Sequence, residues 1–317
     1  MSGLTAVEYL NFLILSKLSY PDLLRWFQTN RKNMSLSNDE HLWQIWLEEN
    51  TYSNTIQHKP STMSYMEFAS RLEKLKPLTL STIVSLLFQD DSFQLELALK
   101  ISTKLDLNKD IKQRLIGSAI SENRLKNLQI LSDYGYQFDD VLMDKAVVSE
   151  KTDIIIWMFN TLLLNIGIQS QYIMLTYTKE NFAKILEQTN ISFQSEIINE
   201  CANRKRIDLL YEFAKVGQFP DEFSIHTCFR DNIDTYIDYL ETFDIVVSSY
   251  IVNIVAYQLG SVRFLEWLRI HQTIVPTSRI ISLIQKEYAN LQNMGLYQTE
   301  MFTKRQQVVQ WWNSLNR

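Results

Sequence analysis

The residue types that could do chemistry are few and widely spaced. Four histidines stand at His41, His58, His226 and His271, with no pair at the spacing that sets two imidazoles on one helix face. Cys201 and Cys228 are the only cysteines, so neither a thiolate cage for zinc nor a disulfide framework is available. Asp90–Asp91 and Asp139–Asp140 are adjacent carboxylates, but each pair falls at an expected turn, where acids recur because they hydrogen-bond the backbone. No G-x-x-x-x-G-K-[ST] or G-x-G-x-x-G stretch is present to cradle a phosphate. The one concentrated charge is Arg204–Lys205–Arg206, which either holds an acidic partner surface or stands as a solvated turn. These types and spacings assign no catalytic residue, no metal ligand and no cofactor. Binding is the chemistry left.

Helices must position whatever binds, and the clearest pair is Ala256–Leu268. Its sequence, AYQLGSVRFLEWL, reads as the end of one helix, a tight turn at Leu259–Gly260–Ser261 and the start of a second helix. Val262, Leu265 and Leu268 then recur at the spacing of one apolar stripe. With Ala256 as position 0, apolar residues return near positions 6, 9 and 12 in other copies, often with an acid at 7. Ala119 heads a copy with Leu125, Leu128 and Leu131, and Ala146 one with Asp153, Ile155 and Met158. Cys201 heads one with Ile207, Asp208, Leu210 and Phe213, and Thr227 one with Ile233, Asp234, Tyr236 and Tyr239. Weaker copies start near Leu87 and Thr176. A period of roughly 28 residues predicts a solenoid of helix pairs, each burying on its neighbours the face it cannot bury alone. Both cysteines fall where such a pair wants a small core residue.

The composition agrees with a folded helical chain. Of 317 residues, 46% are hydrophobic and 21% charged, a globular balance. Seven Gly and five Pro are too few for the many turns of a sandwich or barrel. A net charge of −5 gives no general reason to expect nucleic-acid binding. The apolar run Tyr9–Leu15 lacks a basic flank and a small-residue cleavage site and is too short to span a bilayer. A soluble cytoplasmic protein with no membrane partner is the expectation.

Residues 4–50 differ from the repeats. Leu10, Leu13, Ile14, Leu15 and Leu18 predict a short apolar helix, broken at Ser19–Tyr20–Pro21–Asp22 with Pro21 in the first turn of the next. That second helix, 22–28, carries Leu23, Leu24 and Phe27. A polar stretch at 29–35 follows, and Ser37 or Asn38 caps a third helix bearing Leu42, Trp43, Trp46 and Leu47. Taken alone, this is a three-helix subdomain with its own core. Residues 51–78 read as a connector with one helix, Tyr65–Leu75, striped by Tyr65, Phe68 and Leu72 and ended by Pro77. At the far end, Thr277 or Ser278 caps a helix to Leu291, and Glu300–Leu315 forms a last one. Its Trp311 and Trp312 either close the stack against water or offer a partner an aromatic patch.

The order Ile14–Leu15, Leu18–Ser19, Asp22–Leu23 and then Leu42–Trp43 resembles an F-box over roughly residues 5–50, with Ala6–Val7 where that family opens with leucine-proline. The helix pairs resemble degenerate ankyrin repeats, with a shorter period and without the family's threonine-proline-leucine-histidine signature. Together they resemble the F-box/ankyrin proteins of large DNA viruses. The resemblance implies an all-α fold: an F-box-like three-helix module at 1–52, a connector at 53–78, an α-solenoid of ankyrin-like helix pairs at 79–275 and capping helices at 276–317. It implies that Leu10, Ile14, Leu18, Pro21, Leu23 and Leu24 face the adaptor subunit of a cullin-RING ubiquitin ligase, with Trp43 and Trp46 holding the helices together. A target protein would sit on the concave face of the solenoid, with Arg204, Lys205 and Arg206 as possible contacts, in a host cytoplasm and without catalysis by this chain. The missing leucine-proline motivates an alternative, a viral interaction scaffold or virion component that recruits no ligase.

Overall fold

The computed structural model describes residues 6–29, 31–52, 55–76, 78–89, 91–101 and 109–315. Asn30, Pro77 and Asp90, which carried parts of the expectations above, lie outside them. Every regular element among the described residues is helical, as the scarcity of turn residues demands. The chain divides into two compact units, residues 1–145 and 146–317.

The first unit opens with α1 (Ala6–Ser16), α2 (Tyr20–Phe27), α3 (Arg31–Leu36) and α4 (Glu40–Leu47), the last running on through a π-helical turn at Glu48–Tyr52. Four helices thus stand where three were expected. The polar stretch after Thr29 is itself helical, and Asp39, rather than Ser37 or Asn38, caps α4. Its carboxylate accepts from the N–H groups of His41 and Leu42 at 2.9 and 3.1 Å. Pro21 takes the first turn of α2, where its missing N–H leaves no bond unmade. α5 (Tyr65–Lys74) packs on α4 and buries Phe68, Ala69 and Leu72. Gln94 then donates to the carbonyl of Arg71 at 2.7 Å, which ties α5 to the pairs α6 (Leu80–Leu87) with α7 (Ser92–Ile101) and α8 (Lys109–Ser121) with α9 (Leu125–Asp133). α10 (Asp140–Val148) carries the division between the units.

The second unit is a stack of pairs in a solenoid-like arrangement. After α11 (Thr152–Leu162) come α12 (Ile168–Met174) with α13 (Lys179–Gln188), α14 (Ser195–Asn203) with α15 (Ile207–Lys215), and α16 (Glu222–Phe229) with α17 (Ile233–Thr242). α18 (Ser249–Ile254) continues through a π-helical turn at Val255–Leu259 and pairs with α19 (Val262–His271); α20 (Ser278–Asn293) and α21 (Glu300–Leu315) end the stack. First helices pack on first helices, α14 on α16 on α18, and second on second, α11 on α13 on α15 and α17 on α19 on α21. Two layers result. Positions 9 and 12 of every strong copy are buried: Leu128 and Leu131 in the first unit, and Ile155 and Met158, Leu210 and Phe213, Tyr236 and Tyr239, Leu265 and Leu268 in the second. The small heads Ala119, Ala146, Cys201 and Ala256 are completely buried, which lets the helices of a pair approach closely.

The turn after the head has one shape in four of the five strong copies, the exception being the copy headed by Thr227, where Asp231 is not left-handed. Position 4 is left-handed at Asn123, Glu150, Lys205 and Gly260, with φ of 57°, 54°, 55° and 61°. In the first three the next N–H returns to the carbonyl of the head, at 2.9–3.1 Å, the closing bond of a helix C-cap. Gly135 and Gly217 take the left-handed cap at the end of the second helix. Only at Gly260 is glycine demanded by space as well, because an added Cβ would lie 2.7 Å from the Cβ of Lys304.

Amides staple one pair to the next. Gln218 donates to the carbonyl of Ile191 at 2.8 Å and accepts from the N–H of Phe193 at 2.9 Å. Two periods later, Gln272 donates to Ile245 at 2.9 Å and accepts from Val247 at 2.8 Å. Asn199 and Asn253 accept from the N–H groups of Asp221 and Thr277, at 2.8 and 2.9 Å, at the start of the following first helix.

Candidate interaction surfaces

The N-terminal helices are held by two tryptophans. Trp43 and Trp46 are buried, pack edge to face with ring centroids 6.0 Å apart, and share Tyr20 at 5.8 Å. Trp43 donates its indole N–H to the carbonyl of Ser37 at 2.6 Å, and Trp46 donates to that of Leu18 at 3.0 Å. Asn50, in the π turn, donates to Ser16 at 2.7 Å and Trp46 at 2.8 Å. Burial of ring area with every indole N–H satisfied is what makes such a cluster rigid.

This scaffold sorts the six residues expected at a docking surface. Leu10 and Ile14 are 58% and 62% exposed, a turn apart on α1, and Leu24 is 37% exposed on α2. Pro21 is exposed and Leu18 half-buried. Leu23 corrects the expectation: it has no exposed surface and belongs to the core with Phe27, because successive residues on a short helix point to different sides. Tyr9 and Met34 are exposed too, at 49% and 64%. Met34 escaped notice because α3 was not expected. Beside Ile14, a cleft of about 520 Å³ opens among α1, α2 and α3, lined by Phe12, Leu15, Trp26, Lys32, Asn33 and Leu36.

The basic run does not act as one patch. Arg206 turns inward: it donates to the carbonyls of Leu175 and Tyr177, the latter at 2.8 Å, and pairs with Asp208 at 2.8 Å. The Asp208 carboxylate holds the guanidinium firmly charged, and Arg206 in turn pulls the Asp208 carboxyl below its ordinary range. Arg206 is thus a structural tie between pairs and is half-buried. Lys205 pairs with Asp231 of the next pair, and Arg204 with Glu200 one turn back at 2.8 Å. Both remain exposed.

Buried polar groups lie in the two-layer core. Cys201 and Cys228 are buried, and desolvation raises their thiols to about 12 and about 11, so neither is a thiolate at neutral pH. His226 is buried, its Nδ1 meets no hydrogen-bond partner, and burial followed by the charge of Arg230 pushes its pKa down. Trp311 lies in the closing face of the stack and donates to Glu266 at 2.7 Å; Trp312, half-buried, sits beside it with centroids 6.3 Å apart. Among the described residues no three metal-ligating side chains converge and no helix is long and apolar enough to cross a membrane. No protein-family model, curated protein or solved structure matches this chain.

Proposed function

We propose that the chain is a non-catalytic interaction adaptor: its N-terminal module recruits the adaptor subunit of a cullin-RING ubiquitin ligase, and its repeat stack holds a target protein. The observation that carries this reading is the exposure of Leu10 and Ile14 on a helix otherwise locked by Trp46 and Asn50. Large aliphatic side chains held outward on a rigid support are what a docking surface needs, and each one buried there gains roughly 1.5–3 kcal/mol. Bringing a target and a ligase onto one chain raises their effective concentration without chemistry by the chain itself.

Co-purification of the full chain with the purified adaptor subunit tests it. Wild type should retain the adaptor, and Leu10→Asp with Ile14→Asp should abolish retention while leaving the helical circular-dichroism signal intact, since both side chains are already in water. Retention by the double variant would sink the assignment of α1. A second reading, a scaffold that recruits no ligase, is favoured by Ala6–Val7 in place of leucine-proline and by the loss of Leu23 to the core. It predicts no retention even by wild type.

A further inference from the structure

The edge of the second unit where second helices end and first helices begin combines two properties. Its loops expose an apolar residue two positions before three successive first helices are capped: Phe219 before Asp221, Val246 before Ser248 and Val275 before Thr277. The intervening residues Pro220, Val247 and Pro276 are buried, so the loop is anchored while its neighbour faces water. Phe223 and Tyr250, two residues beyond the caps of α16 and α18, are 54% and 63% exposed. The edge is therefore a ladder with one apolar rung per pair.

Around α16 and α17 the same edge carries unmatched negative charge, whereas Arg279 stands two residues beyond the cap of α20. Asp221, Glu222 and Asp244 are exposed and have no cation at ion-pair distance among the described residues. On the opposite turns of the same pairs the acids are matched, Asp231 by Lys205 and Asp234 by Arg263 at 2.7 Å. Glu241 and Asp244 also border a hollow of about 520 Å³ walled by Trp267, His271 and Val246. The carboxyl end of α17 opens beside it, and helix carbonyls add partial negative charge at such an end. Trp267 is itself stacked between Phe264 and His271 and donates to Glu241 at 2.6 Å, so it is the carboxylates and helix carbonyls that suit a lysine or arginine side chain.

The geometry points to this edge as the docking surface for a basic, extended segment of a target protein. Packed helices stand about 8–10 Å apart, and an extended or polyproline-type chain advances about 3.1–3.3 Å per residue. Every third residue of the segment therefore meets a new rung. The segment carries an apolar residue at those positions and lysine or arginine between them, one of which enters the hollow beside Trp267. This inference names the target class for the adaptor function and rests on that reading's assignment of target binding to the repeats.

The probe is a synthetic peptide repeating leucine-proline-arginine, titrated into the full chain by fluorescence anisotropy beside a leucine-proline-glutamate twin. The arginine peptide should bind, and binding should weaken as salt is added. The glutamate twin should not bind. Asp244→Asn with Val246→Lys, and separately Tyr250→Lys, should each weaken binding about tenfold or more, with unchanged circular dichroism because all three side chains are in water. Absent binding of the arginine peptide, equal binding of the twin or unaltered affinity in both variants would overturn the inference. Ligase-adaptor co-purification with the same variants separates the two claims. An adaptor retained without peptide binding refutes the edge alone, and peptide binding without the adaptor refutes only recruitment.

Discussion

At the scale of single residues, the half-buried Arg206 and the buried His226 shape stability in opposite ways. Arg206 closes two carbonyls and one carboxylate of its neighbourhood, and hydrogen bonds to a charged donor contribute about 1.5–3 kcal/mol each when their partners would otherwise be stranded. Arg206→Ala should therefore lower unfolding free energy by about 2–3 kcal/mol in a urea titration, a larger loss than the same change at Arg204 or Lys205. His226 is held neutral in the folded chain, its pKa pushed below the ordinary value of about 6.5 by burial and Arg230. The unfolded chain takes up a proton near pH 6.5 that the folded chain resists, so the histidine removes stability as pH falls through that value and adds no pH dependence above it. His226→Met should flatten the decline in melting temperature between about pH 7 and pH 5. An unchanged decline would move the acid sensitivity to another group.

At the scale of elements, the left-handed turn is the part that side-chain type fits least well. Thr273 adopts φ 56° although its branched Cβ disfavours that region. Thr273→Gly should raise stability by about 1 kcal/mol, the left-handed cost outweighing glycine's entropy. Gly260→Ala should do the reverse, since both φ and the approach of Lys304 oppose a Cβ; urea midpoints of the two variants check both signs. The helix pairs were legible in the sequence because positions 9 and 12 are core positions in every strong copy, and burial leaves an apolar imprint that periodicity can detect. The division of α2 was not. Leu23 and Leu24 are the same residue type, and only packing decides that one is core and the other surface. The ties of Arg206 were hidden for a related reason: a cation in a turn looks solvated until the carbonyls of Leu175 and Tyr177, some thirty residues earlier in sequence, are brought to it. α3 hid in a polar stretch because a helix of six residues with no buried side chain leaves no stripe.

At the scale of the molecule, the second unit behaves as a row in which each pair meets only its neighbours, so the last pair protects all the others. Trp311→Ala should cost about 3–5 kcal/mol, because it removes a buried ring together with the bond to Glu266. Deleting residues 278–317 should raise hydrogen exchange first in α18 and α19 and progressively less toward α12. Uniform exchange across the unit would mean that it unfolds as one block. The staples at Gln218 and Gln272 bear on how such a row changes over time. Each glutamine grips the peptide groups on both sides of a single residue, Ser192 in one case and Val246 in the other. The grip is on the main chain, indifferent to what the gripped residue is. Like type held in a composing stick, that residue keeps its place while its identity can be swapped, so a lineage could rewrite the message along this edge one substitution at a time without resetting the line.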